Sequence, residues 1–202
     1  MVIGITGNFG VGKTTVAGIF HRLGARIINA DRIAHKIILP GTAAYKQIIR
    51  FFGRGILSGG YISRRKLSRI VFFDKQKLKI LNSITHPQIV EEIKSSIRVC
   101  SKREILAVDA ALLIESGLLS RIEKLIVVKC SLRIVRDRLK KKGLTLGEIK
   151  ARLGFQLPQH RSIQFADFII DNSTNKAQTR EQVKQVWYDI SKDITYGARR
   201  AR

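Results

Sequence analysis

What this 202-residue chain has little of already narrows its chemistry. It holds two cysteines, Cys100 and Cys130, which cannot make a disulfide framework and form no CxxC pair. A reducing compartment is therefore expected, with both thiols acting as buried apolar filler. No apolar run reaches the ~18–20 residues of a membrane helix, because the best one, Ile105–Ile114, carries Asp109. The opening Met1-Val2-Ile3-Gly4-Ile5 lacks a basic n-region and a small-residue cleavage site, so export is not expected and a cytoplasmic location is. Aromatic residues are only 7% of the chain, with no recognisable RNA-binding motif and no clustered stacking residues. His21, His35, His86 and His160 have no metal-ligand spacing with one another or with the cysteines, so no zinc site is expected. Acid is scarce too: 15 Asp and Glu stand against 38 Lys and Arg, a net charge of +23.

What is present is the composition of a folding chain. Hydrophobic residues make up 45% and charged residues 26%, enough apolar matter to bury a core despite the charge. The length suits one domain with insertions better than two full domains.

Hydrophobic periodicity sets the organisation. Val2–Ile5 is a short β-branched run ending at Thr6-Gly7, followed by a glycine-rich stretch and then Val16, Ile19, Phe20 and Leu23 at helical spacing. Arg26–Asn29 reads as a second strand closed by Asp31, from which a helix through Ile33, Ile37 and Ile38 starts before Pro40-Gly41 breaks it. Tyr45, Ile48, Ile49 and Phe52 predict a helix ended by Gly53, and Gly53–Tyr61 predicts a loop. From Arg64 to Ile97 the pattern is helical, with a break expected at His86-Pro87. Ile105–Asp109 and Leu125–Cys130 are continuous apolar runs, as in strands buried on both faces, and a helix is expected after each. Thr145 and Glu148 form a capping box for a helix toward Phe155, and Phe168–Asp171 is a last strand before a helix carrying Val183, Val186, Trp187 and Ile190. Five strands alternating with helices predict an α/β fold with a doubly wound parallel sheet, whose ligands bind at the carboxyl ends of the strands.

Gly7-Asn8-Phe9-Gly10-Val11-Gly12-Lys13-Thr14 fits G-x-x-x-x-G-K-S/T, and it stands between a strand and a helix start, where such a loop must be. Its glycines let backbone N–H groups turn around phosphate oxygens, the helix N-terminus adds positive potential, Lys13 reaches the terminal phosphates and Thr14 offers a hydroxyl to Mg²⁺. Gly7, Asn8, Phe9, Gly10, Val11, Gly12, Lys13, Thr14 and the adjoining Thr15 are thus the expected ATP cradle. Asp109 at the end of an apolar strand matches a metal-assisting carboxylate, the alternative being an Asp that only serves the following turn. Asp31 ends its strand in the same way, so both carboxylates are expected in the crevice, one for metal and the other for an acceptor hydroxyl.

Basic residues cluster twice. Arg133, Arg136, Arg138, Lys140, Lys141, Lys142 and Arg152 are either a solvated face or a lid whose arginines close over a transferring phosphoryl group. Arg64-Arg65-Lys66 are positioned to meet an anionic acceptor. His86 is either a packed imidazole or a site residue.

Together these segments resemble the dephospho-CoA kinase family over almost the whole chain. Ile28-Asn29-Ala30-Asp31 resembles I-D-A-D, Pro40-Gly41-Thr42 matches P-G-T, and Ile84-Thr85-His86-Pro87-Gln88-Ile89 resembles I-x-H-P-x-I. Asp109–Glu115 resembles D-x-P-L-L-F-E, and Ala166–Ser173 resembles A-D-x-V-I-D-N-S. The resemblance implies a P-loop kinase that transfers phosphate from ATP to the ribose 3′-hydroxyl of dephospho-CoA. It implies a core of residues 1–40, 100–137 and 162–196, a helical CoA-side insert at about 41–99, a lid at about 138–161 and a basic tail at 197–202. Asp31 would orient the nucleophile, and Lys13 and Arg138 would act on the transferring phosphate. His86, Leu113 and Glu115 would lie near the acceptor, and Asn172 near the adenine. Two departures stand out: Asn29 replaces the first Asp of I-D-A-D, and the family's lid arginine falls on Gln159, with Arg161 two residues on. The competing readings are a P-loop kinase for another small acceptor such as a nucleoside monophosphate, and a nucleic-acid-binding NTPase. The His86-Pro87 segment speaks against the first; the net charge and the patches at 64–66, 140–142 and 199–202 motivate the second. ATP and dephospho-CoA are the expected partners, in a monomer or small homo-oligomer without a membrane contact.

Overall fold

The computed structural model describes residues 1–101 and 104–200, with side chains to Lys192, so the basic tail expected at 197–202 lies outside the described side chains. In chain order the elements are β1 (Val2–Thr6), α1 (Lys13–Arg22), β2 (Arg26–Asn29), α2 (Ala30–Ile37), α3 (Ala43–Phe52), β3 (Leu57–Ser58), β4 (Tyr61–Ile62), α4 (Arg64–Val71) and α5 (Lys75–Arg98). There follow β5 (Leu106–Asp109), β6 (Lys124–Lys129), α6 (Leu132–Lys141), α7 (Leu146–Leu153), α8 (Gln159–Ile163), β7 (Phe168–Asp171) and α9 (Lys176–Arg200).

Five strands form one parallel sheet in the order β2-β5-β1-β6-β7. Every residue of β1 and β5 is buried, as the unbroken apolar runs predict for strands covered on both faces. Alternation sorts the strand residues between two cores. Ile3, Ile5, Ala107, Ile126 and Val128 pack with α1, α6 and α9, while Val2, Leu106, Val108, Leu125 and Val127 pack under α5.

A third cluster belongs to the insert: Ala44 and Ile48 of α3, Leu67 and Val71 of α4, Ile56, Ile62 and Ile84. The stretch expected as a loop, Gly53–Tyr61, instead carries most of an antiparallel β3–β4 pair, in which Leu57 faces Ile62. The break expected at His86-Pro87 does not occur either; α5 runs through Pro87 for 24 residues. A proline inside a helix costs about 3 kcal/mol. Burial of Ile84 (7% exposed) before it and Ile93 (1%) after it, in separate clusters, offsets that by about 1.5–3 kcal/mol each. No α-helix follows β5: turns and a short 3-10 helix at Leu118–Arg121 lead to β6, with Leu113 and Leu118 filling the space under the sheet.

Candidate active site

The register of the sheet brings the carboxyl ends of three strands together. Asp109 stands opposite Ile5 of β1 on one side and Asn29 of β2 on the other, so the phosphate loop leaving β1 starts beside both. The loop is shaped by glycine. Gly12 has φ 98°, and a Cβ there would lie 2.1 Å from Asn172 Nδ2; one at Gly7, φ 142°, would lie 2.3 Å from the Val128 carbonyl oxygen.

Buried side chains brace the loop from behind. Asn172, 6% exposed, donates from Nδ2 to the Val11 carbonyl at 2.7 Å and accepts from Thr179 Oγ1 at 3.0 Å. Both ends of its amide thus serve the loop and α9. Arg138 donates to the Asn172 carbonyl at 2.9 Å and to the Val11 carbonyl at 3.3 Å. It sits on α6, whose Val135 and Leu139 are buried in the core.

Lys13 opens α1 and donates from Nζ to the carbonyls of Gly7 (2.8 Å) and Asn8 (3.3 Å). Burial holds its ammonium below the ordinary lysine range, with Asp109 and Asp31 pulling the other way. Asp109, 4% exposed, is pushed above the usual carboxylate range by burial; Lys13 opposes the shift, Asp31 adds to it and the Asn29 amide opposes it. Asn29 Nδ2 donates to Asp109 Oδ2 at 2.7 Å while Asn29 Oδ1 accepts from Arg32 N at 2.8 Å. This corrects the reading of Asp31 as a strand end: β2 stops at Asn29, which caps α2, and Asp31 is an exposed residue of the first helical turn. It remains close enough to act on both Lys13 and Asp109. Thr14 and Thr15 are exposed at the start of α1.

The segment after α7 lies across the loop. Phe9 N donates to Gln156 Oε1 at 2.7 Å, Asn8 Nδ2 donates to the Leu157 carbonyl at 3.2 Å, and Leu157 N donates to Glu115 Oε1 at 3.1 Å. Glu115 also acts on His86 of α5, whose pKa is lowered mainly by burial. Glu115 and His86 are thus brought together at the edge of the insert, whereas Leu113 is fully buried beneath Gly4 and presents no side-chain surface to a substrate. Arg64 and Arg65 are exposed in the first turn of α4, which has no acidic residue. Gln159, at the place of the family's lid arginine, accepts from Cys130 N at 3.2 Å, and Arg161 is exposed. Gln156 carries no sequence signal, since a glutamine in a loop is unremarkable until its carboxamide meets a backbone N–H 147 positions away.

The Thr14 hydroxyl, exposed at the start of α1, and the buried Asp109 carboxylate, one of whose oxygens Asn29 holds, are oxygen donors of the kind a hard cation takes. Three aligned strand ends, a phosphate cradle, an ammonium and two carboxylates can bind a nucleoside triphosphate and transfer its terminal phosphoryl group to a hydroxyl.

A model of the dephospho-CoA kinase family matches residues 1–178. The chain is 37% identical over 192 residues to a dephospho-CoA kinase of Aquifex aeolicus, covering 95% of this chain and 98% of that one. It is 40% identical over 200 residues to one of Carboxydothermus hydrogenoformans, with 95% and 97% covered. The solved dephospho-CoA kinase from Campylobacter jejuni matches with a TM-score of 0.68 at 32% identity, over 95% of this chain and 98% of that one.

Proposed function

The chain belongs to the dephospho-CoA kinase family and phosphorylates dephospho-CoA with ATP, and from that premise we propose how its residues divide the work. The observation that carries the proposal is the convergence of Lys13, Asp109 and Asp31 at the mouth of the phosphate loop.

The loop amides and Lys13 hold the phosphates of ATP, and Lys13 neutralises charge as the terminal phosphoryl group departs. Asp31, exposed and beside them, accepts the proton of the ribose 3′-hydroxyl and aims its oxygen in line. Thr14 and Asp109 would hold Mg²⁺, which would supply charge neutralisation for the transfer. Asn29 keeps the Asp109 carboxylate turned toward the crevice, and Arg138 with Asn172 keeps the loop in shape before ATP arrives. Arg64, Arg65, His86 and Glu115 line the acceptor side. The third hydrophobic cluster, lying within residues 38–84, supports treating about 41–99 as a separate acceptor-binding lobe. Dependence on ATP supports a cytoplasmic setting.

The test is a panel of acceptors offered with ATP and Mg²⁺: dephospho-CoA, pantetheine phosphate, AMP, CMP and shikimate, with ADP release followed. Dephospho-CoA is expected to give the fastest release and a product phosphorylated at the 3′ position. Faster turnover of any other acceptor refutes the assignment.

A further inference from the structure

Three successive residues after α7 reach three different parts of the molecule. The Phe155 ring lies against Phe72 of the insert, with ring centres 6.4 Å apart at 40°. Gln156 accepts from Phe9 N of the phosphate loop at 2.7 Å. Leu157 bonds through both of its backbone groups: its carbonyl accepts from Asn8 Nδ2 at 3.2 Å, and its N–H donates to Glu115 Oε1 at 3.1 Å. Both flanks of the segment are anchored as well. Arg152 rests between the rings of Phe9 and Phe72, 4.9 Å and 4.8 Å from their centres, and Gln159 accepts from Cys130 N at 3.2 Å.

Such a segment is a clasp on the loop. Backbone groups withdrawn from water need partners, and Gln156 gives the Phe9 N–H one without adding charge. A carboxylate at that place would set a negative charge against the phosphates the loop must hold. Asn8 carries the contact further, since its carbonyl accepts from Lys13 Nζ at 3.3 Å while its side-chain amide is bonded to Leu157. Fixing Asn8 and Phe9 therefore fixes the part of the loop on which Lys13 rests. A loop already in shape loses little freedom when a nucleotide binds, and a slack one must be ordered by it. Glu115, exposed in the connection from β5 to β6, is the far anchor. Its bond to Leu157 needs only an acceptor oxygen, whereas its action on His86 needs the charge.

We propose that Gln156 is a positioning residue of the kinase, holding the phosphate loop in its nucleotide-binding shape through Phe9 N, and that Glu115 works through Leu157 and Asn8 to the same end. This rests on the kinase reading given above and gives Glu115 a task on the donor side besides its place beside the acceptor. Neither residue needs to touch ATP: each acts on the backbone that does.

The experiment compares the full-length wild type with Gln156→Ala, Glu115→Ala, Glu115→Gln and the double variant of the two alanine changes. Calorimetry reads ADP binding with no acceptor present, steady-state kinetics read kcat and both KM values, and thermal unfolding reads the fold. Gln156→Ala is expected to weaken ADP binding about fivefold, the scale of one hydrogen bond to the loop, and to lower kcat. Glu115→Ala should weaken ADP binding in the same direction. Glu115→Gln keeps the acceptor oxygen and loses the charge, so it should bind ADP within about twofold of wild type. The double variant should lose no more than about twofold beyond the weaker single one, because both changes act on one segment. An ADP affinity of folded Gln156→Ala within about twofold of wild type would show the segment to be packing only and overturn the proposal. So would Glu115→Gln as impaired as Glu115→Ala, or losses that simply multiply in the double variant. Should Gln156→Ala not fold, the two Glu115 variants decide alone. Failure of the kinase reading itself would appear separately, as a wild type that binds ADP and does not turn over dephospho-CoA; ADP binding by the variants would still decide whether the clasp sets the loop.

Discussion

The donor half of the crevice and the acceptor half are built by opposite means. Around the phosphate loop the geometry comes from backbone and buried groups: a glycine with no room for a Cβ, an asparagine 6% exposed, an arginine bonded to two carbonyls. On the acceptor side the candidates are Arg64, Arg65 and Glu115, all exposed, and a half-buried His86. A preset cradle loses no freedom when the triphosphate binds, so its interactions are available to the transition state. Long exposed side chains must be ordered by the ligand, so they contribute mainly to affinity and selectivity. Damage on the donor side should therefore appear in kcat, and damage on the acceptor side in the KM of dephospho-CoA.

The hardest test of that contrast is Lys13→Ala. It removes the ammonium proposed to hold the terminal phosphates and should lower kcat/KM by about 10³-fold or more with the fold retained. Retention of more than about a tenth of the activity would end the contrast at its strongest point.

Asp31→Asn comes next. It should cut kcat by ~10²–10⁴ while both substrates bind within a few-fold of wild type. Because Asn29 holds the helix cap, Tm should not move. Asn29→Ala is the complement: loss of the cap costs about 1 kcal/mol, or roughly 2–4 °C in a chain of this size. A kcat within threefold of wild type for Asp31→Asn would reduce Asp31 to a surface carboxylate.

Asp109→Asn sets function against stability. The folded-state pKa of Asp109 is raised by burial, so its contribution to stability is present below the ordinary carboxylate range and lost as pH rises through the raised value. The variant cannot ionise. Its Tm should therefore exceed that of wild type at neutral pH by a margin that shrinks toward about pH 4. Activity should fall by roughly 10–100-fold, with a weaker response to added Mg²⁺. A Tm below wild type at pH 7 would mean that the pairing with Lys13 outweighs desolvation.

The smallest effect is expected from the double variant Arg64→Ala and Arg65→Ala. It should raise the KM for dephospho-CoA about tenfold, at the scale of one or two phosphate contacts, and leave kcat and the KM for ATP nearly unchanged. A loss in kcat instead would place these arginines with the preset half.

How legible each half was follows from the same difference. The cradle was readable because its requirements are local: glycines, a lysine and a threonine at fixed spacing between a strand and a helix. Asp31 was found but misplaced by two residues of strand, since the side chain that takes the cap was decided by Asn29 bonding across to Asp109. The His86-Pro87 break was a sound local inference overridden by burial on both sides of the proline. Leu113 shared a motif with Glu115 yet points the other way, into the core.

Periodicity and spacing act within a few residues of the chain, so the sequence by itself determined the five strands, the helices after all of them but β5, the phosphate loop and the strand-end carboxylate. The braces lie beyond that reach. Asn172 meets Val11 across 161 positions and Arg138 meets it across 127. Whether an arginine ends in solvent, against a carbonyl or between two phenyl rings depends on which elements pack beside it. Only the tertiary structure decided that Arg138 is tied to the loop while the buried Nε of Arg152 has no hydrogen-bond partner among the described residues, because only packing settles which polar groups are buried and which of those find a partner.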